Sequence, residues 1–233
     1  MIFVLAGSLL TSLLLSDGDT SEYIKNPDEV TDDSWEEEPP VNPINWDKLC
    51  EKNSDVYAWI RVPGTSINYA VAQANENLEN DFYLRHSIQK TYSFAGMIYT
   101  RKNNAKDFSE PLTVMYGHNM RNGSMFGTLR RFEENSFFEK YKKLYVYTKK
   151  EMLVYKIYDY GQMGCMDLTT LYDFSQGLDP KFIADMKELP FVRNEMDIKK
   201  SENVLTLSTC ASGNHSKRRT LHGVLQKRIK WKE

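Results

Sequence analysis

The strands restrict this sequence most. Runs rich in β-branched and aromatic residues recur at 57–62, 67–72, 96–100, 112–116, 145–148, 153–160, 204–209 and 220–227. Most are short, and turn chemistry such as Pro63-Gly64 closes them. Lys149-Lys150-Glu151 separates two of them closely enough to join a hairpin. Helical spacing is rarer. It occurs at 46–54, where Trp46, Leu49 and Cys50 share a face, at 125–132, and at 181–189 behind the start signal Asp179-Pro180. A parallel βαβ sheet would place a helix between successive strands, and these strands are too irregularly spaced for that. The pattern predicts a mainly β domain with peripheral helices, its strands curled into a closed or nearly closed barrel.

Composition supplies the material for such a core. Of 233 residues, 41% are hydrophobic and 27% charged, which suits one domain with flanking sequence. A formal net charge of -2 without a long basic tract gives no general attraction to nucleic acid. The three cysteines, Cys50, Cys165 and Cys210, form no C-x-x-C pair, which argues against a zinc ribbon or a dithiol redox motif. An odd count leaves at least one thiol free.

Residues 2–15 are almost entirely apolar and give way to Ser16-Asp17-Gly18-Asp19. A bilayer-spanning helix needs roughly 20 residues, and this run is shorter. No Lys or Arg precedes it, so the usual n-region of a signal peptide is missing. Three readings compete: a signal-peptide core, a membrane anchor whose start lies upstream, and a buried apolar strand. The anchor is favoured, and anchor and signal alike put the rest of the chain outside the cytoplasmic membrane. Residues 1–16 are thus read as anchor or signal segment. Residues 17–45 are acidic, proline-punctuated and poor in large apolar side chains. Such a stretch cannot offset its ordering entropy and reads as a linker, with a solvated acidic loop as the alternative. The folded domain is expected over 46–233.

Three segments carry candidate chemistry. The apolar run 204–209 ends in Cys210 at a break before Ala211-Ser212-Gly213-Asn214, where a thiol can be partly exposed. Cysteines are otherwise among the most buried residues, and Cys50 and Cys165 keep that structural reading. The strand 112–116 ends in Gly117-His118-Asn119, placing a histidine where a base could meet the cysteine in space. The last strand is entered through Arg218-Arg219, either a basic edge that discourages aggregation or a guanidinium poised to hold an oxyanion. His86, His118, His215 and His222 lack the spacing of metal ligands, so no metal is expected.

These segments together resemble the sortase family. The resemblance rests on Thr206-Leu207-Ser208-Thr209-Cys210, on Gly117-His118 and on the arginine opening the next strand. It extends to the 59–69 stretch from Trp59 to Tyr69, to Asn80-Asp81-Phe82-Tyr83-Leu84, and to the length of 149–200, as in class B members. It covers roughly residues 45 to 233, in order. It implies an eight-stranded barrel with an N-terminal helix and a helix between strands six and seven. It also implies a catalytic set of Cys210 as nucleophile, His118 as acid/base and Arg218 as oxyanion partner. Arg218 matches the family's arginine five residues before a small one, here Gly223; Arg219 is the near alternative, since strand alternation lets one of the two face the site. By the same matching Asn80 and Leu84 line a substrate groove, and Ser208 and Thr209 flank the nucleophile. Ala211 stands where some relatives carry an acid, which bears on substrate contact.

The implied activity is transpeptidation without metal or organic cofactor. A secreted protein's C-terminal sorting signal, resembling N-P-x-T-(N/S/G) or L-P-x-T-G, is cut after Thr through a thioacyl-enzyme. The cargo is then joined to a peptidoglycan precursor amine. The resemblance places the domain on the extracellular face of a Gram-positive-type cell membrane, held by its N-terminus. Only a thiolate is a good nucleophile, and a nearby imidazolium and guanidinium would both favour it. Two rivals remain. An extracellular cysteine protease would share the Cys/His pair, although papain-like enzymes reverse this chain order and the caspase signature is absent. A non-catalytic surface binding module would need neither residue.

Overall fold

The computed structural model describes residues 23–24, 39–164, 167–188, 190–211 and 214–232. Helix α1 (Trp46–Lys52) leads into β1 (Val56–Arg61), β2 (Asn68–Gln73), β3 (Ile98–Thr100) and β4 (Leu112–Tyr116). Then follow α2 (Asn135–Lys140), the hairpin β5 (Lys143–Thr148) and β6 (Glu151–Gly164), α3 (Leu168–Leu171), α4 (Pro180–Glu188) and β7 (Pro190–Arg193). The strands β8 (Val204–Ala211) and β9 (Asn214–Lys230) complete the order.

The strands run β5-β1-β2-β3-β4-β8-β9-β6, and β6 pairs back onto β5 to close a ring. Eight strands form the barrel, as the sequence led one to expect. The short β7 lies outside the ring beside the later half of β6. Most neighbours are antiparallel, but β2–β3 and β4–β8 are parallel. Parallel neighbours need long connections, and those connections supply the loops that wall the site. The helix expected between the sixth and seventh barrel strands is α4, accompanied by α3 and β7.

Both faces of the barrel wall are covered. Ile60, Val71, Ile98, Met115, Val146, Leu205, Leu207 and Leu221 fill the interior. On one outer face Val114, Val204 and Val224 meet Leu168 of α3 and Phe182 and Met186 of α4. On another, Trp59, Tyr145 and Tyr147 pack with Trp46 and Leu49 of α1. The helix α1 forms here because Asn45 caps it, its side chain accepting from the Lys48 amide, while Asp47 and Lys52 suit opposite ends of its dipole.

Several elements differ from the sequence expectation. The 125–132 segment is a 3₁₀ helix, Gly127–Glu133, rather than an α-helix. Its Phe126, Leu129 and Phe132 are buried under the interior cluster, and tertiary burial dictates the tighter turn. Strand β9 begins six residues before 220, because it pairs along nearly all of β6. Cys50 is a free, half-buried thiol on α1 rather than a core cysteine. Cys165 lies outside the described residues.

Described residues of the expected linker, among them Tyr23, Ile24, Pro40, Asn42 and Ile44, touch the domain. Tyr23 is buried, its carbonyl accepts from the Asn45 amide, and Ile24 bridges to Ile44. The ammonium of Lys48 stands 5.4 Å from the centre of the Tyr23 ring. Order on the C-terminal side of that linker begins before Trp46, since Asn42 donates to the Thr148 carbonyl. Residues 1–16 lie outside the described residues. Among those described, no helix is long and apolar enough to cross a membrane.

Leu205 has no exposed surface in the barrel interior. Leu205→Ala is expected to cost about 2–5 kcal/mol, by lost transfer energy and the cavity left behind. Urea unfolding should show a lower midpoint at unchanged slope, while Val41→Ala at an exposed position moves the midpoint little.

Candidate active site

The parallel pairing of β4 with β8 aligns Tyr116 with Ser208. As a result the chain leaving β4 through Gly117-His118-Asn119 runs beside the Thr209-Cys210 end of β8. The Gly117 amide donates to the Ser208 carbonyl at 3.3 Å, and Asn119 Nδ2 donates to the Cys210 carbonyl at 2.9 Å. A Cβ at position 117 would lie 2.5 Å from Ile98 Cδ1 and 2.9 Å from Phe126, so any larger residue in this turn would force those two side chains to shift. On the other side β8 pairs antiparallel with β9, in a register that opposes Cys210 and Arg218. Arg218 Nη1 donates to Cys210 Sγ at 2.9 Å.

His118 is held by the turn that follows residue 81. Its Nε2 lies 2.9 Å from the Leu84 carbonyl. A carbonyl can only accept, so Nε2 carries the proton and Nδ1 is the acceptor of the neutral ring. Phe94, more than half exposed, stacks on the imidazole with centroids 5.6 Å apart and planes 9° from parallel. Gly96 lets the chain pass the same turn: its φ is +60°, and a Cβ there would lie 2.3 Å from the Leu84 carbonyl oxygen.

Burial holds the His118 pKa below the ordinary histidine value, and the positive charge of Arg85 lowers it further, against the Leu84 hydrogen bond, which acts upward. The ring is therefore chiefly neutral at pH 7. Of the two cations expected beside the sulfur, the guanidinium is the one in place.

Cys210, His118, Arg218, Leu84, Ser208 and Thr209 all line one cavity of about 430 Å3. Strand alternation sends Arg219 to the opposite face, where it pairs with Glu133 and lies 5.2 Å from the Phe191 ring centre. Asn80 is not part of this lining. It is exposed, and its side-chain oxygen accepts from the Lys102 amide. His86 stacks on Phe82 and His222 bonds buried Asp159, each away from His118; the side chain of His215 lies outside the described residues. The sequence reading missed other lining groups: Asp81, Phe94, Tyr99, Arg101, Tyr116 and Asp167. Asp81 and Tyr116 lie within the motifs that were read, but nothing in a linear sequence says which side chains turn inward.

The closed eight-stranded barrel thus brings a cysteine, a histidine and an arginine to one cavity, an arrangement able to support thiol-centred acyl transfer. The sortase domain family matches residues 60–225, and the chain belongs to that family. It is similar to sortase B of Listeria monocytogenes, 26% identical over 171 residues, covering 70% of this chain and 65% of that protein. Sortase B of Staphylococcus aureus is 27% identical over 169 residues, covering 71% of this chain and 67% of that protein. The chain thus spans about two thirds of the length of these relatives. Among solved structures, a Streptococcus pyogenes class B sortase involved in pilus biogenesis superposes with a TM-score of 0.68 at 29% identity, over 78% of this chain and 98% of that one. Clostridium perfringens sortase B gives 0.68 at 27% identity, over 78% and 100%.

The surroundings of His118 set the direction of its titration. Its midpoint, followed by NMR, is expected below the ordinary value of about 6.5. Phe94→Ala, which uncovers one face of the ring, should move it upward, and Arg85→Gln should move it the same way. The sign for stability follows. The unfolded chain binds this proton more tightly, so the group's contribution is complete above about pH 6.5 and is lost as pH falls below it.

Proposed function

We propose that this chain is a cysteine transpeptidase that attaches secreted proteins to the cell wall. The observation that carries the reading is the 2.9 Å contact between the Arg218 guanidinium and the Cys210 sulfur at a half-buried, cavity-lining position. Only the thiolate is a good nucleophile. The same guanidinium is placed to hold negative charge that develops on a carbonyl oxygen attacked by that sulfur.

The reaction has two halves. Cys210 gives its thiol proton to His118 and, as thiolate, attacks the threonine carbonyl of a C-terminal sorting signal, and the carbon–sulfur bond forms. The carbon–nitrogen bond then breaks, the departing amine taking a proton from His118 in its imidazolium form. An amine of a peptidoglycan precursor next attacks the thioester. Its surplus proton passes to His118, the amide forms, and the thiolate leaves. Leu84, Ser208 and Thr209 would contact the signal, since they line the same cavity. Asn80 would meet it at most at the cavity rim. Cargo is the class of secreted proteins that carry such a signal, and residues 1–16 would hold the domain at the outer face of a Gram-positive-type membrane.

The rival readings separate at the second half-reaction. Intact-mass spectrometry of the full chain with a panel of sorting peptides should show an acyl adduct on Cys210. An added amine should convert that adduct to a ligated peptide, and Cys210→Ala should abolish it. An adduct that water clears at a rate indifferent to amine would instead mark a protease. A folded chain that forms no adduct, with a Cys210 that alkylates like any free thiol, would mark a binding module.

Arg218→Ala is expected to lower kcat/KM by about 10²–10³, the loss typical of one oxyanion donor. Arg218→Lys should recover only part of this, because a lysine keeps the charge and loses the planar fork. Arg219→Ala should leave most of the activity, as its side chain faces Glu133. Steady-state kinetics with a quenched fluorescent peptide measures all three.

A further inference from the structure

A second guanidinium lines the catalytic cavity, and its bonding differs from that of Arg218. Arg101 Nε and Nη2 fork onto the two carboxylate oxygens of Asp81, each at 2.8 Å. Its Nη1 donates to Asp167 Oδ2. The guanidinium carbon stands 4.9 Å from the centre of the Tyr116 ring, and Tyr116 stacks on Tyr99, whose hydroxyl donates to Asp81 Oδ1 at 3.0 Å. Asp167 in turn caps α3. Its Oδ1 accepts from the Thr169 amide at 2.9 Å and from the Thr169 hydroxyl at 2.8 Å. Asn103 adds a bond of 2.8 Å to that hydroxyl from the loop after β3.

One side chain therefore joins three segments distant in sequence: the turn that begins at Asp81 and carries Leu84, the end of β3, and the connection from β6 into α3. Asp81, Leu84, Tyr99, Arg101, Asp167 and Leu168 all face the cavity of Cys210. The arginine is about three-quarters buried and faces two carboxylates, so its charge is more than matched. Burial works against ionisation of Asp167, but bonds from Thr169 and Arg101 outweigh it and hold that carboxyl below the usual range. A guanidinium engaged in this way is poorly placed to hold a substrate oxyanion. It is well placed to fix a wall.

We infer that Arg101 is a positioning residue that clamps α3 against the Leu84 turn and thereby sets how tightly the cavity grips its peptide. This rests on the transpeptidase reading for its kinetic consequence, and on the geometry alone for the clamp. A bidentate arginine–carboxylate pair fixes orientation as well as distance, which a lysine would not do. Four residues of helix have little intrinsic stability, so α3 depends on its tethers.

Two measurements on the full chain test this. Asp167→Asn keeps a capping side chain at the start of α3 but loses the charge that Arg101 grips. With the sorting peptide that wild type turns over, Asp167→Asn and Arg101→Ala should each raise KM about tenfold, the scale of one lost charge-assisted hydrogen bond, with a smaller fall in kcat. The double variant should be little worse than either, because both remove the same link. Hydrogen exchange of the α3 amides should quicken in Arg101→Ala, with iodoacetamide alkylation of Cys210 unchanged. Exchange needs no turnover, so it decides the clamp even where wild type acylates no peptide and the transpeptidase reading itself has failed. Unchanged α3 protection overturns the inference. So do additive effects on KM, or a loss of thermal stability with KM unmoved.

Discussion

Strand β8 sits between β4 and β9, and the register of those two pairings is the constraint on which the site depends. The parallel pairing aligns Tyr116 with Ser208, and the antiparallel one aligns Cys210 with Arg218. Side chains alternate along a strand, so a one-residue slip of β9 would bring Arg219 to the sulfur and turn Arg218 outward. Barrel closure opposes that slip. Strand β9 is also paired along almost all of β6, and β6 is tied to β5. Leu207 and Leu221, opposed across β8 and β9, are both buried in the interior, and a slip would move one of them out. The hydrophobic pattern that fills the barrel is thus the same pattern that selects the arginine.

Electrostatics within the cavity then divide labour among three arginines. Arg218 points at sulfur, Arg101 is matched by two carboxylates, and Arg85 stands over the Phe94 ring at 5.5 Å, from where its charge disfavours protonation of His118. The histidine is consequently chiefly neutral, with its Nε2 proton given to the Leu84 carbonyl. To serve as acid it must first take up a proton against burial, and the lowered pKa then makes the imidazolium the readier donor to the departing amine. A guanidinium keeps its charge at every working pH, which suits it to the sulfur whatever the state of the imidazole.

The sequence made the barrel and the cysteine and histidine of the cavity legible for a physical reason. Strand ends are marked by turn chemistry, and Gly117-His118 and Cys210 stand just where apolar runs stop. Choosing between Arg218 and Arg219 by residues alone was harder, because alternation says that one faces inward without saying which; the cross-strand register supplies the answer. Strand β8 is buried from Val204 through Thr209, yet Leu205 and Leu207 still alternate with Thr206 and Ser208, and it is the two leucines that face the interior. The short elements α2, α3 and β7 had no such signature, since four to six residues carry little periodicity. Asp81, Arg101 and Asp167 were invisible as a group. They are brought together by the fold, and a lone charged residue in a loop reads as solvated surface. The match of Asn80 to a groove position placed it next to a lining residue, Asp81, while its own side chain bonds the Lys102 backbone at the surface.

Chemistry and recognition are built from different materials here. Cys210 and Arg218 sit on paired strands and His118 directly beside one, where ladder hydrogen bonds and a filled barrel hold them to a fixed geometry. The cavity walls come from the long connections that the parallel pairings require, held by side-chain bonds such as Arg101 to Asp81 and Asn103 to Thr169. Side-chain tethers between loops can be exchanged with little consequence for a barrel, whereas a change at Gly117 forces Ile98 and Phe126 to move.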